Sequence, residues 1–205
     1  MENQSIRRGT IAVLTLALGA AGLLAACSWA IPLVPPLSEP SPMPSFRHEG
    51  SVWVFFLSKD GDAYDKSMFV GAERPVRDDA GIEERLRIAL QELVKGPTKK
   101  ERNEGLASMF SAETAGLVRK IVVAGGKARV DFRDFRTIIP QAGTSNGGFD
   151  FQFSLNLTVF QFTEIEQVRY SIERDCQRYW EVLQAELCQP PITREAWDKA
   201  WNSLD

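Results

Sequence analysis

One histidine, His48, and three cysteines, Cys27, Cys176 and Cys188, are all that this sequence offers for imidazole or thiolate chemistry. A nucleophile activated by histidine needs the imidazole beside it, and His48 lies ahead of the first element of the predicted domain, so Ser-His-Asp and Cys-His arrangements are excluded there. Zinc sites draw on several histidines or thiolates, and Cys176 and Cys188 alone are too few for a closed one. What remains is carboxylate chemistry. A pair of acids held in contrasting environments can cleave a glycosidic bond, one as proton donor and the other as base or nucleophile. Asp131, Asp134 and Asp150 are the candidates in the second half of the chain, and nothing in their spacing pairs them. Asp60, Asp62 and Asp65 resemble the opening of a calcium loop. Its glycine stands second instead of sixth, however, and Gly71 occupies the place of the bidentate glutamate, so a solvated loop is expected. The glycine-rich stretch Gly143 to Gly148 lacks the lysine of a phosphate loop and reads as a loop leading into a helix N-cap. No metal or cofactor is expected.

Cys27 calls for a different chemistry. Arg7 and Arg8 precede an apolar run, Ile11 to Ala26, which ends in Leu24-Ala25-Ala26-Cys27. A charged start, a short apolar middle and small residues before the cut are the pattern of a secretory signal, here similar to a lipobox. The resemblance implies cleavage before Cys27 and acylation of its thiol, with residues 1–26 as signal peptide. The run is shorter than the roughly 20 residues that span a bilayer, which disfavours an uncleaved anchor helix. Residues 27–50 hold six prolines between Pro32 and Pro44, a composition that favours extended polyproline II and reads as a stalk. The expected location is the extracytoplasmic face of a bacterial membrane, held there by lipid on Cys27. Asn156-Leu157-Thr158 is then a glycosylation sequon in form only. The net charge of −3 comes without a basic block and argues against nucleic acid as a partner.

The elements that must position these residues follow from periodicity. Val52 to Leu57 is a strand, and Met68 to Val76 can pair back on it. Ile82, Leu86, Ala89, Leu90 and Leu93 form the apolar stripe of a helix that Gly96 and Pro97 end, and Thr98 to Glu101 is a capping box for a short second helix. Leu117 to Ala124 and Lys127 to Phe135 make a hairpin around Gly125-Gly126. In its second arm Ala128, Val130 and Phe132 are expected inside, with Arg129, Asp131 and Arg133 on a wet face. Phe149 to Phe162 fits both periods: Phe149, Phe151, Phe153, Leu155 and Leu157 alternate, yet a helical template finds Phe149, Phe153, Leu157 and Phe160. Gln167 to Glu173 alternates as a last strand. Beyond it, Trp180, Leu183 and Leu187 share helical spacing, and Thr193 can cap a final helix carrying Trp197 and Trp201, which are expected to pack on the domain.

Cys176 and Cys188 are a candidate disulfide, which an exported compartment permits. Twelve residues of helix would hold their Cα atoms about 18 Å apart, against the roughly 4.4 to 6.8 Å of a bridge. The spacing of Trp180, Leu183 and Leu187 favours the helix over the bond.

Leu93-Val94-Lys95-Gly96-Pro97-Thr98, then Glu101, then Gly105-Leu106-Ala107-Ser108, followed by a valine-rich hairpin with Asp131 late in its second arm, resembles the GerMN domain of spore-germination proteins and envelope lipoproteins. The resemblance covers residues 51–174. It implies an α+β domain, with helices packed on one antiparallel or mixed sheet, and makes Gly148 to Gln161 a helix against the alternation count. Phe110-Ser111 departs from the family's proline-containing turn. Residues 175–205 form a helical C-terminal extension that inherits nothing from the family. The implied role is a non-catalytic module, tethered to the membrane and binding an envelope protein or peptidoglycan, in sporulation, germination or cell-wall processes. The alternative is an acid-only peptidoglycan hydrolase.

Overall fold

Val52, Val54 and Phe56 alternate with Phe55 on a strand that has no wet face, and such a strand has to lie inside its sheet. In the computed structural model, which describes residues 50–204, this strand is β1 (Ser51–Ser58). Strand β2 (Phe69–Pro75) pairs antiparallel along it from Ser51↔Pro75 to Leu57↔Phe69. The short β3 (Leu106–Ala107) lies on its other side at Leu57 and Ser58, giving the order β2-β1-β3. Further along that side the edge of β1 is closed by a side chain. The Gln161 carboxamide accepts from the Trp53 N–H (2.8 Å) and donates to the Trp53 carbonyl (2.7 Å), standing in for a neighbouring peptide group.

Helix α1 (Ile82–Leu93) buries Leu86, Ala89, Leu90 and Leu93, the expected stripe. Gly96 follows with φ +75°, and a Cβ there would stand 2.2 Å from the Phe110 carbonyl oxygen, so both backbone angle and space demand glycine. Thr98 and Glu101 form the capping box of α2 (Lys99–Asn103). The Glu101 carboxylate also takes both terminal nitrogens of buried Arg74, at 2.7 and 2.9 Å, and so ties α2 to β2.

Strands β4 (Val118–Ala124) and β5 (Lys127–Phe132) turn through Gly125 and Gly126, both at positive φ. Strand β6 (Gln167–Ile172) then pairs parallel to β5, with Lys127↔Gln167 through Phe132↔Ile172. Parallel neighbours need a crossover, and α3 (Ser145–Phe160) supplies it. This is why Phe149 to Phe162 is helical despite its alternation. From Ser154 to Phe160 every residue of α3 is buried, and a helix enclosed on all sides carries no amphipathic stripe for periodicity to find.

The chain is therefore α+β, with mixed pairing as expected but two sheets in place of one. The second has the order β4-β5-β6-β7, where β7 (Ile192–Thr193) comes from the C-terminal extension. Helix α4 (Cys176–Val182) stops well short of Leu187, which is 70% exposed; the Glu173-to-Leu187 helix expected from spacing is not formed. Gln184 takes φ +62°, the chain turns back, and Cys176 and Cys188 are joined by a disulfide with Cα atoms 5.4 Å apart. Helix α5 (Arg194–Asn202), capped by Thr193, buries Trp197 between Phe153 and Phe160. The Arg194 guanidinium donates to the carbonyls of Phe160 (3.1 Å), Phe162 (2.6 Å) and Ile165 (2.7 and 3.1 Å), capping the end of α3.

Candidate functional site

Strand parity sorts the second sheet into two faces. Ala128, Val130 and Phe132 of β5, with Val168, Tyr170 and Ile172 of β6, face the core. The opposite face carries Lys127, Arg129 and Asp131 beside Gln167, Arg169 and Ser171, in register across the parallel pair. Lys120 and Val122 of β4 extend it on one side. Arg174, on the turn after β6, Cys176 and Pro191 complete the lining of a concavity of about 680 Å³.

Asp131 departs from the expectation of a wet residue, being only 8% exposed. Its Oδ2 accepts from Arg119 Nε at 2.6 Å, and its Oδ1 accepts from the Ser171 hydroxyl at 2.7 Å and the Arg174 N–H at 2.6 Å. Burial pushes the carboxyl up, but these three donors together outweigh it and hold Asp131 below the usual aspartate range. The Arg174 amide belongs to a turn in which Glu173 and Arg174 both take positive φ, 51° and 70°. Asp131 thus holds a strained turn and aims Arg174 at the rim.

Asp134 is occupied in its own way. The Arg136 side chain and N–H bind its carboxylate and lower it to about 2. Asp150 lies on α3, and burial raises it. Acid and base roles would need two of these carboxyls at one cleft with contrasting environments. Asp131 instead belongs to the outer face of the second sheet, Asp134 to the loop after β5, and Asp150 to the crossover helix; none shares a partner with another.

The remaining candidates are structural as well. Asp65 caps a single turn, Lys66–Met68, through the Ser67 N–H, and no group of acids able to hold a metal forms among the described residues. Thr144 caps α3 by accepting from the Gly147 N–H. Asn156 is buried and accepts from the Tyr170 hydroxyl and Gln152, which in turn accepts from the Tyr179 hydroxyl. Tyr170 and Tyr179 stack at 5.1 Å, and Trp197 is 1% exposed, so this tail tryptophan serves the core. Cys27 and His48 lie outside the described residues.

What sequence reasoning passed over is the cluster of Lys120, Lys127, Arg129, Arg169 and Arg174. The signal was present as parity, because Arg129 and Arg169 each sit between buried neighbours. Their meeting depends on a parallel pairing that no local pattern reveals.

A family model described as Germane, sporulation and spore germination, matches residues 53–174. Among solved structures, the chain is similar to the first GerMN domain of the sporulation protein GerM from Bacillus subtilis, with 17% identity, 71% of this chain and 98% of that chain covered, and a TM-score of 0.49. It is also similar to the tandem GerMN domains of the same protein, with 18% identity, 70% of this chain covered and a TM-score of 0.46; the chain spans 45% of that longer one. No curated protein matched. The matched segment takes in the Gly96-Pro97-Thr98 turn, the Thr98 to Glu101 capping box and the hairpin, and extends over more than half of the sequence, so the chain belongs to the Germane family of sporulation and spore germination.

Proposed function

We propose that this chain is a non-catalytic binding module of the bacterial envelope, tethered at the extracytoplasmic face of a membrane by acyl chains on Cys27 and presenting its domain to an envelope protein or to peptidoglycan. The observation that carries the reading is the employment of the acids. Asp131 and Asp134 are each held ionised by donors of their own, while the raised Asp150 sits on a different element, so no pair divides the work of proton donor and base. Gly96, Thr98 and Glu101 of the family motif are likewise employed in structure, making a turn, a cap and the Arg74 ion pair. Two or three acyl chains, at about 0.8 kcal/mol per buried methylene, hold a protein on a membrane where one would not.

Two measurements test the reading. The full chain in detergent micelles is incubated with purified peptidoglycan, and soluble muropeptides are followed by chromatography. Retention on the wall without release is expected of a module that binds peptidoglycan, and neither retention nor release of one that binds a protein. Release that disappears on Asp131→Asn or Asp150→Asn would establish a hydrolase instead. Separately, Cys27→Ala should leave uncleaved precursor or free protein; a variant that fractionates with membranes at the processed mass overturns the tether.

A further inference from the structure

The outer face of the second sheet carries an electrostatic cost that its own residues do not relieve. Arg129 and Arg169 stand directly beside one another in the parallel register, and like charges opposed across strands destabilise a sheet. Lys127 and Lys120 flank them on the same face, and Arg174 stands at the rim. Among the described residues none of these five cations makes an ion pair. The single carboxylate of the face among the described residues, Asp131, is already taken by Arg119, Ser171 and the Arg174 amide. This concentration of positive charge occurs in a chain whose net charge is −3.

We propose that this face binds a linear polyanion carrying one phosphate per repeat, of the polyol-phosphate kind, with Arg129 and Arg169 converging on one phosphate and Lys120, Lys127 and Arg174 on its neighbours. The inference deepens the binding-module reading and rests on it. Neighbouring strands lie about 4.8 Å apart, close enough for two guanidinium forks to meet on one anion, and the next residue on the same face is roughly 6.6 Å along the strand. A planar carboxylate pairs best with one fork lying in its own plane, whereas the tetrahedral oxygens of a phosphate accept from two forks that do not share a plane. A protein partner fits poorly, because interface cores are depleted in lysine and rich in aromatics, and among the described residues the lining of this face has no aromatic side chain. Single-stranded nucleic acid fits poorly for the same reason, having no ring on which bases could stack. A concavity of about 680 Å³ also suits a chain lying in it better than a flat bilayer.

The test uses the mature full chain in zwitterionic detergent micelles and a fluorescein-labelled glycerol-phosphate oligomer, read by anisotropy. With five cations engaged and a slope of about −0.7 per cation, affinity should fall about 100-fold between 50 and 200 mM salt. Arg129→Gln with Arg169→Gln should weaken binding at least tenfold at low salt, and should reduce that fall to about 20-fold. Arg129→Lys with Arg169→Lys should keep the salt dependence while still weakening binding, because the charge stays and the forks are lost. Lys99→Gln with Lys100→Gln, on the exposed side of α2, should change nothing. Failure of the oligomer to bind, or binding indifferent to the Arg129 and Arg169 changes, overturns the inference and leaves the binding-module reading standing. Equal competition by polyglutamate of matched charge also overturns it, as does equal competition by phosphatidylglycerol mixed into the micelles, which would assign the face to carboxylates or to the membrane. Shortening of the oligomer, seen by mass, would overturn the non-catalytic reading and this inference with it.

Discussion

Replacing Asp131 with alanine separates a structural carboxylate from a catalytic one, and the structure sets the size of the effect. The change removes the acceptor for the Arg174 N–H and the Ser171 hydroxyl, both partly buried, and the partner of Arg119. Hydrogen bonds to a charged group contribute about 1.5–3 kcal/mol each, but water can reach the rim and replace part of that. The Arg119 pair, with Arg119 about a third exposed, adds at most about 1 kcal/mol. Relaxation of the Glu173-Arg174 turn, whose left-handed angles are unfavourable by about 1–2 kcal/mol per residue, returns some of the loss. A net destabilisation of about 3 kcal/mol is expected, and with about 2–4 °C per kcal/mol for a domain of this size Tm should fall by about 6–12 °C. Asp131→Asn, which keeps an acceptor but not the charge, should fall roughly half as far. Thermal unfolding followed by circular dichroism at several pH values is the assay. Because folding lowers the Asp131 pKa, its contribution is complete above the unfolded value of about 3.9 and is lost as pH falls through the lower folded value. The gap between wild type and Asp131→Ala should therefore narrow as pH falls below about 4, toward the difference between Asp131→Asn and Asp131→Ala. A neutral-pH Tm within about 1 °C of wild type, or a gap that widens in acid, would refute the assignment.

Arg194→Met keeps the aliphatic stem but leaves the Phe160, Phe162 and Ile165 carbonyls without their donor; urea unfolding should show a loss of about 2–4 kcal/mol with an unchanged m-value, and a loss below about 0.5 kcal/mol would mean that water caps α3 equally well. Replacing Cys176 and Cys188 together with serine should lower stability by about 2–4 kcal/mol. Intact mass of the unreduced, unfolded protein after alkylation should show neither thiol modified, and two modified thiols would count against the bond.

Local chemistry was readable in the sequence wherever a few neighbouring residues determine the outcome. Gly96, the Thr98-Glu101 box and the Gly125-Gly126 turn each satisfy their own backbone, so their spacing alone identifies them. Periodicity failed where burial removes the contrast it needs, as along α3, and where an apolar residue has no core to join, as at Leu187. The candidate site was legible in part. Alternation placed Arg129 on an outer face, but its partner Arg169 lies beyond the whole crossover helix, and only the parallel register unites them. Asp131 looked like one more wet residue because its donors come from β4, β6 and the turn after β6. Arg194, an ordinary first-turn arginine by sequence, caps a helix far away in the chain.

The Gln161 clasp on Trp53 bears on how such a protein behaves at high density. Chains tethered to one surface meet each other continually, and an unpaired strand edge is a template on which one molecule can extend the sheet of the next. At Trp53 both hydrogen-bonding groups of that edge are occupied by an amide of the same chain, chemically equal to the one that a neighbour would bring. An incoming strand gains nothing there until it evicts Gln161, which also donates to the Thr158 carbonyl at the end of α3. On a surface crowded with such chains Gln161 would deny this stretch of β1 to an incoming strand, and a glutamate in its place, bringing an acceptor toward two carbonyls, would reopen it.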